Sequence, residues 1–198
     1  MDKLQTPEGD RSHTDATDPA RIRYVLRRVR PVSDTRLLPP VILAKIGEQF
    51  ERADHLLSLV PPGAIEWRPV NETMRLGDLL GHMLECAAGF CAALFAVYPD
   101  RLAHFACLRD LEVNHCCGTE EARDRLRDYR AAVKEGFDLM TDDDLSRSVP
   151  TLFVAEGEPL LAILLGNLEH FINHKYQLFF YLKLLGVELA TRDLYRMR

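Results

Sequence analysis

The sequence predicts an all-α chain, a four-helix bundle preceded by an N-terminal arm. Three observations predict it. Four long stretches carry apolar residues at the three- and four-residue spacing of a buried helix face. Clusters of Pro, Gly and Asp separate them. No stretch sustains the strict alternation of a half-buried strand. With 198 residues, 47% of them hydrophobic, the chain can bury one core.

Residues 1–40 read as the arm. Residues 1–19 are polar, with too little apolar surface to offset the entropy of ordering, so part of the arm is expected to be disordered. Residues 21–30 read as a short basic helix, with Ile22, Val25, Leu26 and Val29 on one stripe. Pro31, Pro39 and Pro40 punctuate a linker. The first long helix is expected to begin near Val41, because Pro40 suits a first-turn position, and to end before Pro61-Pro62-Gly63. Ile42, Ile46, Phe50, Ala53 and Leu57 form its seam.

The second helix should run over about residues 73–97, with Leu76, Leu80, Met83, Ala87, Phe90 and Leu94 inward. Residues 101–118 are ambiguous and leave room for a short helix. The third helix should open with Thr119 as its N-cap, and Glu120 and Glu121 then sit where the helix dipole favours acids. Leu126, Tyr129, Val133 and Phe137 mark its buried side. Residues 148–158 read as a loop or short hairpin, and the fourth helix as residues 159–185, stopped by Gly186. That helix is apolar nearly all round, which suits a central position or a dimer interface. The bundle is thus assigned to residues 41–190, and residues 191–198 to a C-terminal tail.

Charge and composition narrow the function. A net charge of −5 gives no global attraction to nucleic acid or anionic membrane. The polar N-terminus lacks the apolar stretch of a secretory signal, and no apolar run of about 20 residues is evident, so a cytoplasmic protein without a membrane partner is expected. The five cysteines are expected as free thiols in a reducing compartment.

Chemistry concentrates in the fourth helix, where His170 and His174 stand four apart on one face. Both lie in an otherwise apolar helix and are expected to point inward. Two adjacent buried imidazoles can share a metal ion, or can be satisfied by backbone or carboxylate acceptors. His82, in the apolar run of the second helix beside Gly81, is the best candidate for a third ligand. Asp78, one turn before His82, is a candidate catalytic residue, as acceptor to the ring or general base; an acid favoured by the helix dipole is the plainer reading. Gln177, one turn past His174, is the other catalytic candidate, able to orient water or simply to hydrogen-bond within the bundle. Cys86 is a conceivable soft ligand or a small buried thiol. His115, Cys116 and Cys117 invite a second metal site, but adjacent cysteines chelate poorly and no Cys-x-x-Cys partner exists.

The motifs carry a resemblance. Trp67-Arg-Pro followed by Arg75-Leu-Gly-Asp-Leu-Leu-Gly-His82 resembles the lead-in of the DinB and YfiT family of metal-dependent enzymes. His170-Phe-Ile-Asn-His174-Lys-Tyr-Gln177, continuing to Tyr181-Leu and Gly186, is similar to that family's His-x-x-x-His-x-x-Gln signature. The resemblance covers about residues 41–190. It implies an up-down-down-up four-helix bundle, a metal held by His82, His170 and His174, and a homodimer. Asn173, Lys175 and Tyr176 depart from the family's usual residues, which bears on packing and substrate rather than on the ligands.

The resulting expectation is a metal-dependent enzyme. It would act as a thiol-dependent S-transferase on small electrophiles, through a metal-bound thiolate from a low-molecular-weight thiol. The alternatives are a hydrolase using metal-bound water, and a non-catalytic metal- or ligand-binding bundle. Three imidazoles suit zinc or nickel, with iron or copper as further options.

Overall fold

The computed structural model describes residues 35–109, 111–151 and 154–195. The polar segment and basic helix expected within residues 1–34 lie outside the described residues. Four long helices form the bundle: α1 (Leu38–Ser58), α2 (Leu76–Val97), α3 (Thr119–Leu139) and α4 (Leu160–Leu184). A 3-10 turn (Ala103–Phe105) and a short helix (Ala106–Arg109) interrupt the crossover between α2 and α3, as its composition allowed. Before α4, strand β1 (Ser148–Val149) pairs antiparallel with β2 (Glu158–Pro159) in a minimal hairpin.

The helix ends show where local chemistry overrides spacing. α1 starts at Leu38, earlier than expected, with Pro39 and Pro40 in its second and third positions. These positions have no intrahelical N–H partner to lose. The free N–H groups of Leu37 and Leu38 donate instead to the Asp142 carboxylate, at 3.0 and 2.9 Å. α2 starts three residues late, because the Thr73 hydroxyl donates to the Val70 carbonyl at 2.8 Å and holds a turn there. Thr119 is the first residue of α3 rather than its cap, a place taken by Gly118.

Paired contacts fix the helix directions. Asp54 meets Arg123 and Glu51 meets Arg130, so α1 and α3 are antiparallel. Cys91 lies on Tyr129 and Leu94 on Gly136, so α2 and α3 are parallel. Gly89 faces Asn167 and His82 faces His170, so α2 and α4 are antiparallel. The order is therefore up-down-down-up. Phe50 joins Phe90 and Phe171 at the centre, with ring centroids 5.9 and 4.9 Å apart.

α2 is long and apolar enough, by length and composition, to cross a bilayer, which corrects the expectation that no such run exists. Its Gly, Ala and Cys residues look neutral one by one, yet little charge interrupts them; here most of the helix is buried as the core element of the bundle. The residues after α4 are not all a free tail. Leu194 is buried, and a short turn (Thr191–Asp193) is held by His55 Nε2 at 2.9 Å from Asp193.

Candidate metal centre

Two helices supply the cluster. His82 lies in the second turn of α2, and His170 and His174 follow one another along α4. Because α2 and α4 run antiparallel, the early part of one meets the later part of the other. Ring centroids are 5.2 Å apart for His82 and His170, 4.4 Å for His82 and His174, and 4.7 Å for His170 and His174. One donor atom each from His82, Cys86, His170 and His174 lies within 4.8 Å of all the others. The three predicted histidines thus meet, and Cys86 joins them from one turn further along α2.

Burial is graded. Cys86 is fully buried, His82 and His174 are half-buried and His170 is exposed. The expectation that both α4 histidines point inward is corrected for His170. Phe171, Leu178 and Leu182 take the core-facing positions of α4, which leaves His170 on the flank. The cluster therefore has a buried sulfur at its base and opens to solvent at His170.

Hydrogen bonds fix the rings. His82 Nδ1 lies 2.7 Å from Asn114 Oδ1 and 2.8 Å from a Glu85 carboxylate oxygen. Both oxygens only accept, so Nδ1 carries the proton and Nε2 keeps a free lone pair. Nδ1 of His174 donates to Gln177 Oε1 at 3.0 Å, with the same consequence. The Gln177 amide in turn donates to the Tyr181 hydroxyl at 3.2 Å, which donates to the Met74 carbonyl at 3.2 Å. Burial holds the His174 pKa below the ordinary imidazole value, and the neighbouring His82 and His170 push the same way. For His174 burial and the two neighbouring rings outweigh the opposing pull of the Gln177 hydrogen bond, which favours neutral imidazole, the form that binds metal.

Both sequence candidates for catalysis are held by neighbouring side chains. Asp78 does not accept from His82: its two oxygens take the Arg75 guanidinium at 2.8 Å each, and this pairing lowers its pKa. An arginine three residues back outcompetes the ring one turn ahead, and a carboxylate held ionised in this way is a poor general base. Gln177 has both ends of its amide engaged and positions the His174 ring. Sequence reasoning missed Glu85 and Asn114. Glu85 was findable as an i, i+3 partner of His82 on one helix. Asn114 comes from the crossover, and no local spacing announces it.

Among solved structures, the chain is similar to a DinB-like protein, YjoA, from Bacillus subtilis, with a TM-score of 0.58 and 17% identity, over 75% of this chain and 95% of that one. The chain has the DinB-like fold. No protein-family model and no curated protein matches the sequence. The donor set of three imidazoles and a thiol fits a borderline divalent ion.

Proposed function

We propose that this chain is a metal-dependent enzyme that transfers a low-molecular-weight thiol to a small electrophile, with one divalent ion, zinc or nickel, held by His82, His170 and His174. The observation that carries this reading is the convergence of their donor atoms within 4.8 Å at a place open to solvent through His170. When bound, such an ion supplies Lewis acidity and lowers the pKa of a sulfur or oxygen donor at its open face.

The chain's own residues prepare the site. Asn114 and Glu85 hold the proton on His82 Nδ1, and Gln177 holds it on His174 Nδ1. Ring orientation is thereby set before any ligand arrives. Glu85 stands at the solvent edge with its carboxylate beside the cluster, able to take a proton from an incoming thiol. The exposed Leu165, Phe180 and Leu184 on α4 support the homodimer as part of the same proposal.

Two observations favour other readings. The exposed Glu85 carboxylate could equally activate water, which favours hydrolysis. Cys86 could complete a four-donor set, which favours a metal that only stabilises the bundle.

Metal analysis of wild type beside His174→Ala is the first test, and wild type should hold one equivalent more. Equal metal content would remove the basis of the proposal. The second test is loss of 1-chloro-2,4-dinitrobenzene with cysteine or glutathione as thiol. Turnover saturable in thiol and absent from His174→Ala supports transfer. Cleavage of an activated ester without thiol supports hydrolysis. Loss of metal that lowers only the melting temperature supports the stabilising role.

A further inference from the structure

A second group of donors lies where the crossover joins α3. The crossover segment is fixed to α2 before it reaches that point. The Asn114 and Cys117 amides donate to the Gly81 and Gly77 carbonyls, at 3.2 and 3.0 Å. Both glycines are needed for this approach. A Cβ on Gly81 would lie 1.9 Å from the His115 carbonyl oxygen, and one on Gly77 2.6 Å from Cys116 Sγ. A rigid backbone thus presents His115 and Cys117 to Glu121, in the first turn of α3.

His115 Nε2 lies 2.9 Å from Glu121 Oε1, and one donor atom from each of His115, Cys117 and Glu121 lies within 4.8 Å of the other two. Cys117 is fully buried, while the Glu121 side chain is 45% exposed, so the group has a closed base and an open side. The other ring nitrogen, His115 Nδ1, is buried without a hydrogen-bond partner among the described residues. The Arg125 guanidinium lies 3.3 Å from Glu121, but it is also held by the Glu112 carbonyl and the Tyr129 hydroxyl, so it does not depend on that carboxylate.

We propose that His115, Cys117 and Glu121 form a second cation site, for a divalent ion of the zinc class, with an open position toward solvent. One imidazole, one thiol and one carboxylate from two rigidly placed segments make a borderline donor set that suits zinc over magnesium or calcium. The site shares no residue with the three-histidine cluster, yet its segment also carries Asn114, which binds His82. A bound ion would brace that segment between α2 and α3.

The test is titration of metal-free, full-length protein with zinc, read as ions per chain by native mass spectrometry. Wild type should take two ions. The His82→Ala/His174→Ala double variant should keep one. Cys117→Ser or Glu121→Gln, added to that double variant, should lose it. Glu121 is half-exposed, so Glu121→Gln should leave packing intact, and circular dichroism of each variant checks the helices. If either substitution leaves the double variant with its ion, or if wild type never exceeds one ion and His174→Ala removes it, the second site is wrong. Loss of the second ion with no effect of the histidine substitutions would instead overturn the three-histidine reading alone. Cobalt gives an independent readout. In Cys86→Ser protein a thiolate-to-cobalt charge-transfer band should appear and vanish on adding Cys117→Ser; its absence, or its survival of that change, counts against the proposal.

Discussion

Asn114 reaches His82 across the crossover, with its Oδ1 2.7 Å from the ring Nδ1, because its own backbone is left-handed at φ 61°. Asparagine tolerates that conformation better than most residues with a side chain. The same residue thus satisfies a backbone requirement and orients a ring. Replacing it separates the two roles. Asn114→Gly keeps the backbone and loses the hydrogen bond, and should weaken metal affinity at the three-histidine cluster by about 10- to 100-fold. Asn114→Ala should do the same and also lower the melting temperature. Competition titration with a chromophoric chelator measures the first effect, and unchanged affinity in Asn114→Gly would show that the contact is incidental.

Glycines in two helices should respond in opposite senses to the same substitution. Gly81→Ala would force a methyl group into the His115 backbone, so the crossover must move. Destabilisation of about 1–3 kcal/mol is expected, as for overpacking in a close-packed interior. Gly166 lies in α4, and a Cβ added there would meet nothing within 4 Å. Gly166→Ala should stabilise by about 0.5–1 kcal/mol, through the backbone entropy that alanine does not lose. Urea unfolding curves for the two variants check both signs.

Lys175 is 1% exposed, with its Nζ donating to Gln49 Oε1 at 2.6 Å. Burial pulls its pKa down to about 8, from the ordinary 10.5. Between those two values the unfolded chain binds more protons than the folded one, so stability contributed at this position rises with pH across that window. Below it both states are protonated and the cost of the buried charge is fully present. Lys175→Met removes this dependence. The stability of wild type relative to the variant should therefore rise with pH, by at most about 3 kcal/mol over the window. A difference that stays flat in unfolding curves from one end of it to the other would mean that the ammonium is well compensated.

The five thiols should differ in reactivity. Cys86, Cys91 and Cys117 are buried, and burial pushes each pKa up to about 12, so little thiolate forms at neutral pH. Cys107 is exposed. Iodoacetamide should modify Cys107 first in the native protein, Cys116 more slowly, and the other three only after unfolding. Peptide mapping of a time course gives the order, and early labelling of Cys86 would mean that the histidine cluster opens far more readily than its packing suggests.

Much of the site was legible in the chain because it is written in helical periodicity. His170 and His174 share a face at a spacing of four, and the placement of His82 in an apolar run of another helix singled it out. The antiparallel packing of α2 and α4 turns those spacings into one cluster. The pairing of Asp78 with Arg75 was not legible for a reason of the same kind: spacing shows which residues share a face, and cannot rank Arg75 against His82 as partners for one carboxylate. That Cys86 lies one turn from His82 was visible as a spacing, but the approach of its sulfur to His170 and His174 was not.

Legible in the chain alone were the four helices, their buried faces and the His170 and His174 pair, since each rests on residues within a few turns of one another; His82 was joined to the pair through the resemblance. Only the tertiary structure decided the hydrogen-bond partners. Asn114 meets His82, Glu121 meets His115, and His170 ends on an exposed flank, through contacts that depend on how a crossover lies against α2 and how α4 is rotated in the bundle. Those are choices of global packing, where many weak contacts are optimised together, and no local pattern encodes them.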